Sequence, residues 1–260
     1  MSNESGAIVV KEPKLYDLFN QRCIEDIEIY TTLFKDAHTI LELGIGTGRL
    51  AIPLAERGFQ VDGVDISIEM LEFLQTKISK LPTEIQNRII YEHQDFCRLS
   101  LSKKYKYACF PFCTFNYLLT VEQQVDALMA LRKHLVDDAI IVFDLMTIHT
   151  FKDMLYHADI VPYETTCDTE TDMDVIISTQ GFYNQATQIY TQERFFKYFS
   201  QNDCVIEKRV KMVNRIIQMG EFQLLLDKCG YKITNYYGNY NFSEFNSQSQ
   251  CLIVMASIKK

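Results

Sequence analysis

Short apolar runs separated by amphipathic stretches dominate the first 150 positions of the chain. "TILEL" (39 to 43), "FQVDGVDIS" (59 to 67), "RIIYEHQDF" (88 to 96), "YKYACFPF" (105 to 112) and "AIIVFDLM" (139 to 146) each read as a strand. Between them, "EMLEFLQTKI" and "VEQQVDALMALRKHL" (121 to 135) have apolar residues at helical spacing. Alternating strands and helices predict a parallel, doubly wound α/β sheet. Ahead of the first strand, "KLYDLFNQRCIEDIEIYTTLF" (14 to 34) predicts a helical segment with an apolar stripe around Ile24, Ile27, Tyr30 and Leu33, placed to fold over a ligand.

After residue 150 the texture changes. "DMDVIISTQGFYNQATQIYTQERFFKYFSQNDCVIEKRVKMV" is β-branched and aromatic with polar breaks at "YNQA" and "SQND", which predicts three antiparallel strands. "GEFQLLLDKCGYKI" (220 to 233) predicts a last helix closed by Gly230, and the tail a final strand pair ending in "CLIVMAS". The expected architecture is a mostly parallel, Rossmann-like sheet of seven strands with an antiparallel β insertion before the last helix. Its parts are a helical lid (1–37), a ligand-binding core (38–150), the insertion (151–215), and a C-terminal helix and strand pair completing the sheet (216–260).

The chemistry concentrates where the first strand ends. In "TILELGIGTGRL", Glu42 is followed by Gly44, Gly46 and Gly48, and such a turn lets a flat ligand lie almost against the backbone. The dinucleotide fingerprint would place its third glycine at position 49, which is Arg49, so a nicotinamide or flavin site is not expected. Asp65 lies 23 residues beyond Glu42 at the end of the second strand, where a carboxylate accepts from ribose hydroxyls. Asp95 ends the third strand, able to accept from an exocyclic amine while the Phe96 backbone faces a ring nitrogen. Taken together, these segments say nucleoside.

"LELGIGTGRLAIPLAERGFQVDGVDISIEML", with "QDF" after it, resembles the cofactor motifs of class I S-adenosylmethionine (SAM)-dependent methyltransferases, strongly over residues 12 to 145. The resemblance implies SAM as cofactor and S-adenosylhomocysteine as product, and an insertion (151–215) that serves as substrate cap or dimer contact. It implies that Glu42 helps hold the methionine end, that Asp65 holds ribose and Asp95 the adenine amine, and that Ile66 and Met70 pack on the adenine. Tyr16, in "LYDLF", resembles a lid tyrosine approaching the cofactor. "PFCTFNYL" after the fourth strand, where base-modifying relatives carry a different clamp, is similar instead to small-molecule N-methyltransferases of the amino-sugar and glycine type. Pro111 then belongs to the cofactor site, Phe112, Asn116 and Tyr117 to the acceptor site. His149 is a candidate base for a hydroxyl or a protonated amine. Arg194 is a candidate fork for a substrate carboxylate.

Composition narrows the partners. A formal net charge of −8 provides no basic face for nucleic acid, and the cations of "EKRVKMVNR" (207 to 215) are expected to scatter into solvent along an exposed strand. Eight cysteines without a CxxC pair indicate neither a disulfide framework nor a zinc site. With no membrane span or signal segment in the pattern, a cytoplasmic enzyme is expected, with a homodimer allowed. Three functions stay open: methyl transfer to a small-molecule amine or hydroxyl, another SAM chemistry releasing methylthioadenosine, or a non-catalytic SAM-binding module.

Overall fold

The computed structural model describes residues 11–148, 150, 160–200 and 203–259. Two short helices, α1 (Pro13–Asn20) and α2 (Glu25–Leu33), precede β1 (Thr39–Leu43), α3 (Ala51–Glu56), β2 (Gln60–Asp65), α4 (Ile68–Ile78), α5 (Thr83–Gln86) and β3 (Ile89–His93). They are followed by β4 (Tyr105–Phe110), α6 (Val121–Lys133), β5 (Leu135–Met146), four insertion strands β6 (Val161–Asp168), β7 (Met173–Asn184), β8 (Ile189–Ser200) and β9 (Asp203–Arg215), then α7 (Met219–Lys228), β10 (Tyr231–Tyr237) and β11 (Cys251–Ile258).

The main sheet has seven strands in the order β10-β11-β5-β4-β1-β2-β3. β1 through β5 pair in parallel, while β11 pairs antiparallel with both β5 and β10. Both faces are covered, because consecutive strand residues point to opposite sides. Leu41, Ala108 and Phe143 face one core with Phe222 and Leu226 of α7, whereas Ile40, Cys109 and Val142 face the other with Tyr30 of α2 and Leu54 of α3. In the first core, Phe110 and Phe143 stack at 5.2 Å and the rings of Phe115 and Phe222 meet them edge-on.

Expected boundaries hold where local chemistry sets them. Thr120 and Gln123 form a reciprocal capping box that opens α6, and Gly230, at φ +80°, follows the end of α7.

Three expectations need correction. The N-terminal segment is two helices, because Arg49 takes the carbonyl of Cys23 (2.8 Å), and the chain turns at Gln21–Ile24. Ile24, expected in the apolar stripe, is consequently 63% exposed, while Ile27 and Tyr30 are buried. The insertion has four strands, in the order β6-β7-β8-β9; the additional one, "VPYETTCD", is an edge strand whose Pro162 and polar alternation disguise it.

The insertion and α1 form a satellite core. Leu15 and Phe19 of α1 pack against Val175, Ile177, Phe196 and Tyr198 on one face of the four-stranded sheet. α1 is tied back to the main domain through Asp17, which accepts from Thr47 in the glycine turn (2.5 Å) and from Lys77 of α4 (2.7 Å). Among the described residues, no helix is long and apolar enough to cross a membrane.

Candidate functional site

The strand order reverses between β1 and β4, since the chain leaves β1 toward β2 on one side and β4 toward β5 on the other. Ligands of open α/β sheets sit at that switch point, outside the carboxyl ends of the strands. A cavity of about 460 Å3 opens there, within the range of small-molecule sites. The glycine turn and the ends of β2 and β3 form its floor, the turn after β4 one wall, and α1 with the insertion its cover.

The turn is stitched to β2 by Gly44 and Ile45, whose N–H groups donate to the carbonyl of Val64 (2.8 and 3.0 Å). All three glycines have positive φ, but their surroundings differ. A Cβ on Gly44 would lie 2.4 Å from Thr114 Cγ2, so this glycine lets the turns after β1 and β4 close on one another. Gly46 faces the cavity with nothing nearer than 3.9 Å, the open approach a flat ligand needs. Gly48 does not line the cavity. A Cβ there would meet Leu74 Cδ1 at 2.5 Å, so this glycine lets the turn pack closely on α4.

Asp65 receives the N–H groups of Gly46 and Ser67, each at 2.8 Å, on different carboxylate oxygens. Burial raises its pKa, and those backbone donors oppose the rise. Asp95 lines the cavity and accepts from Cys97 N (2.8 Å), which leaves its second oxygen for another donor. Ile66, Met70 and Phe96, the neighbours in sequence of the two acids, supply apolar wall, and Tyr16, Phe112 and Tyr117 line the same cavity.

Four expected site residues lie off the wall. Beyond Gly48, Glu42 is 1% exposed beneath the turn; its Oε2 has no hydrogen-bond partner among the described residues, and burial raises its pKa well above the usual carboxylate range. Pro111 is buried, its carbonyl receiving Thr114 N. Asn116 is also fully buried: Nδ2 donates to Arg215 O (2.7 Å) and Oδ1 accepts from Met146 N (3.0 Å), so its amide ties the backbone together and does not reach an acceptor. His149 lies outside the described residues.

Arg194 is not a surface residue. It projects from β8 into the cavity, 6% exposed, with its guanidinium 3.3 Å from the centre of the Phe19 ring.

The structure adds residues that the pattern did not single out. Arg49 forms a two-pronged buried ion pair with Asp26 (2.8 and 2.5 Å) and lies 3.9 Å over the Phe112 ring. Phe112 and Cys113 both have positive φ, strain held by Asp144: its carboxylate accepts from Phe112 N (3.0 Å) and its carbonyl from Cys113 N (3.1 Å). Tyr240, on the cavity wall, donates to the same carboxylate at 2.8 Å. Burial, reinforced by Asp26, pushes the Asp144 pKa up to about 7. A charge inside the apolar run "AIIVFDLM" was the available signal, since a buried acid needs dedicated partners.

Known proteins agree with this geometry. Residues 40–138 match the family model described as "Methyltransferase domain". The putative methyltransferase YqeM of Bacillus subtilis (strain 168) is 27% identical over 222 residues, 85% of this chain and 84% of that protein. The CcbJ methyltransferase of Streptomyces caelestis superposes with a TM-score of 0.77 at 19% identity, over 96% of this chain and 90% of that one. The sugar N-methyltransferase KedS8 of Streptoalloteichus sp ATCC 53650 superposes with a TM-score of 0.73 at 13% identity, over 100% and 98%. Residues 40–138 thus form a methyltransferase domain, set on a doubly wound sheet with a glycine turn at its switch point, and the fold as a whole is that of SAM-dependent methyltransferases.

Proposed function

We propose that the chain transfers a methyl group from SAM to the nitrogen or oxygen of a small molecule enclosed between the glycine turn and the β insertion. The observation that carries this reading is the cavity itself: Asp65, Asp95, Tyr16, Tyr117 and Arg194 all line it, under a cover made by α1 and the four-stranded sheet. An amine acceptor is favoured by the likeness to a protein described as a sugar N-methyltransferase.

The residues fit a nucleoside cofactor. Asp65 receives Gly46 N and Ser67 N on different oxygens, with Ile66 N–H a further backbone donor, and the four lone-pair sites of its carboxylate leave room for a ribose hydroxyl. Asp95 has an oxygen for the adenine amine, with Ile66 and Met70 against the ring. The open face of Gly46 admits the ligand to the backbone. When bound, SAM supplies a methyl group already activated on a positively charged sulfur.

The chain then has to orient the acceptor and exclude water. Holding a lone pair in line with the reacting carbon can contribute several of the roughly 7–11 kcal/mol available from ideal positioning. Tyr16 and Tyr117 offer ring faces, which favour a nearby cation, and hydroxyls to direct an acceptor. No residue is required to form a covalent intermediate.

Incubation with SAM and a panel of small amines and phenols, followed by chromatography of the nucleoside product, tests the proposal. S-adenosylhomocysteine formed in step with a methylated acceptor supports it. Methylthioadenosine would instead indicate aminocarboxypropyl transfer or cyclisation.

A further inference from the structure

Arg194 is a buried cation with no ion-pair partner among the described residues. Its Nε donates to Gln192 Oε1 (3.0 Å), and no other hydrogen bond and no ion pair engages it among the described residues. The titratable groups acting most on it among the described residues are the phenols of Tyr16, Tyr117, Tyr163 and Tyr190, which are uncharged near neutrality. Burial pulls its pKa down to about 10, so it is still charged near neutrality.

The guanidinium is held firmly. Phe19 carries it on one side and stacks on Tyr163 at 4.8 Å on the other, so α1, β6 and β8 together fix its plane. Its terminal nitrogens have no acceptor among the described residues, and the residue lines the cavity. An unpaired buried charge is costly to a fold, and a rigid, planar fork of donors matches a planar pair of oxygens.

We propose that the methyl acceptor carries a carboxylate, which docks on Arg194 while its nucleophilic nitrogen or oxygen reaches the reacting carbon. This rests on the methyl-transfer reading above. One carboxylate cancels one guanidinium, whereas a phosphate dianion would leave surplus negative charge among aromatic walls. The same docking balances a cavity that also has to receive a cationic sulfur. Arg194 thus sets specificity: neutral amines of equal size leave the guanidinium desolvated and unpaired, and are disfavoured.

The test follows the Nε–Hε resonance of Arg194 in the full-length, 15N-arginine-labelled protein, assigned by its loss in Arg194→Lys. Acetate, inorganic phosphate and chloride at matched ionic strength are titrated with and without saturating S-adenosylhomocysteine. The proposal expects a saturable acetate shift, a weaker phosphate response and none from chloride, with S-adenosylhomocysteine affinity within about threefold between wild type and Arg194→Lys.

Absence of a saturable acetate response, or tighter binding of phosphate, overturns the carboxylate assignment. A loss of about tenfold or more in S-adenosylhomocysteine affinity in Arg194→Lys would give the anion to the cofactor's own carboxylate and overturn the acceptor assignment. Failure of the wild type to bind S-adenosylhomocysteine at all contradicts the methyl-transfer reading instead, and the acetate titration of the free protein still decides the role of Arg194.

Discussion

Asn116 donates its amide N–H to the carbonyl of Arg215, 2.7 Å away, while its side-chain oxygen receives Met146 N. One side chain therefore joins the turn after β4 to the end of the insertion and the end of β5, three segments that frame the cavity. Asn116→Ala would leave a buried N–H and a buried carbonyl without those partners, at about 2–4 kcal/mol. Denaturant unfolding should show that loss, while S-adenosylhomocysteine affinity in the folded variant stays within about threefold, since Asn116 does not line the cavity. A large loss of affinity with unchanged stability would return Asn116 to the ligand.

The Arg49–Asp26 pair pins α2 to the glycine turn and supports Phe112 from above. Arg49→Met should destabilise the protein by about 3–5 kcal/mol, because Asp26, 1% exposed, is left as an uncompensated charge. Adding Asp26→Asn should restore part of that loss. A double variant no more stable than Arg49→Met would contradict a paired-charge origin.

Gly44→Ala combines a φ of +81° with a 2.4 Å approach to Thr114 Cγ2. The expected cost is about 1–3 kcal/mol from the backbone alone, plus whatever the contact adds. Thr114→Ser in the same background should recover the contact portion only; complete recovery in calorimetric melting would show that the backbone conformation was never strained.

Asp144 makes stability depend on pH. Its folded-state pKa, about 7, lies above the ordinary carboxylate value of 3.8, so the native state holds its proton longer than the unfolded chain does. The stabilisation is complete below the unfolded pKa and is lost as pH rises toward 7. Asp144→Asn stays neutral throughout and can still accept from Tyr240. Its stability relative to wild type should therefore rise between pH 4 and 7, by on the order of 4 kcal/mol, and then level off. Unfolding curves collected across that range with a constant difference would refute it.

The parts of this molecule that could be read from the chain are those set by neighbours in sequence. The glycine turn needs positive φ at Gly44, Gly46 and Gly48, and Asp65 and Asp95 stand where apolar strands end, so both the floor of the cavity and the parallel sheet were legible. What escaped depends on distant contacts. The alternation of β8 puts Arg194 on one face, but only α1 lying across that face, through Leu15 and Phe19, turns it into an interior. The break after Asn20 comes from Arg49 capturing the carbonyl of Cys23, 26 residues away, which no helical periodicity encodes. Gly48 looks like Gly46 in the sequence, and only the position of Leu74 separates a packing glycine from a ligand-facing one.

Asp65 receives Gly46 N and Ser67 N and is the acid through which a nucleoside would be held. The most direct measurement is calorimetric titration of SAM into the wild type and into Asp65→Ala, with Asn116→Ala as the folded comparison. Saturable one-to-one binding to the wild type, weakened about tenfold or more by Asp65→Ala and by less in Asn116→Ala, is the predicted result. No binding to the wild type, or an affinity unchanged in Asp65→Ala, would contradict the account.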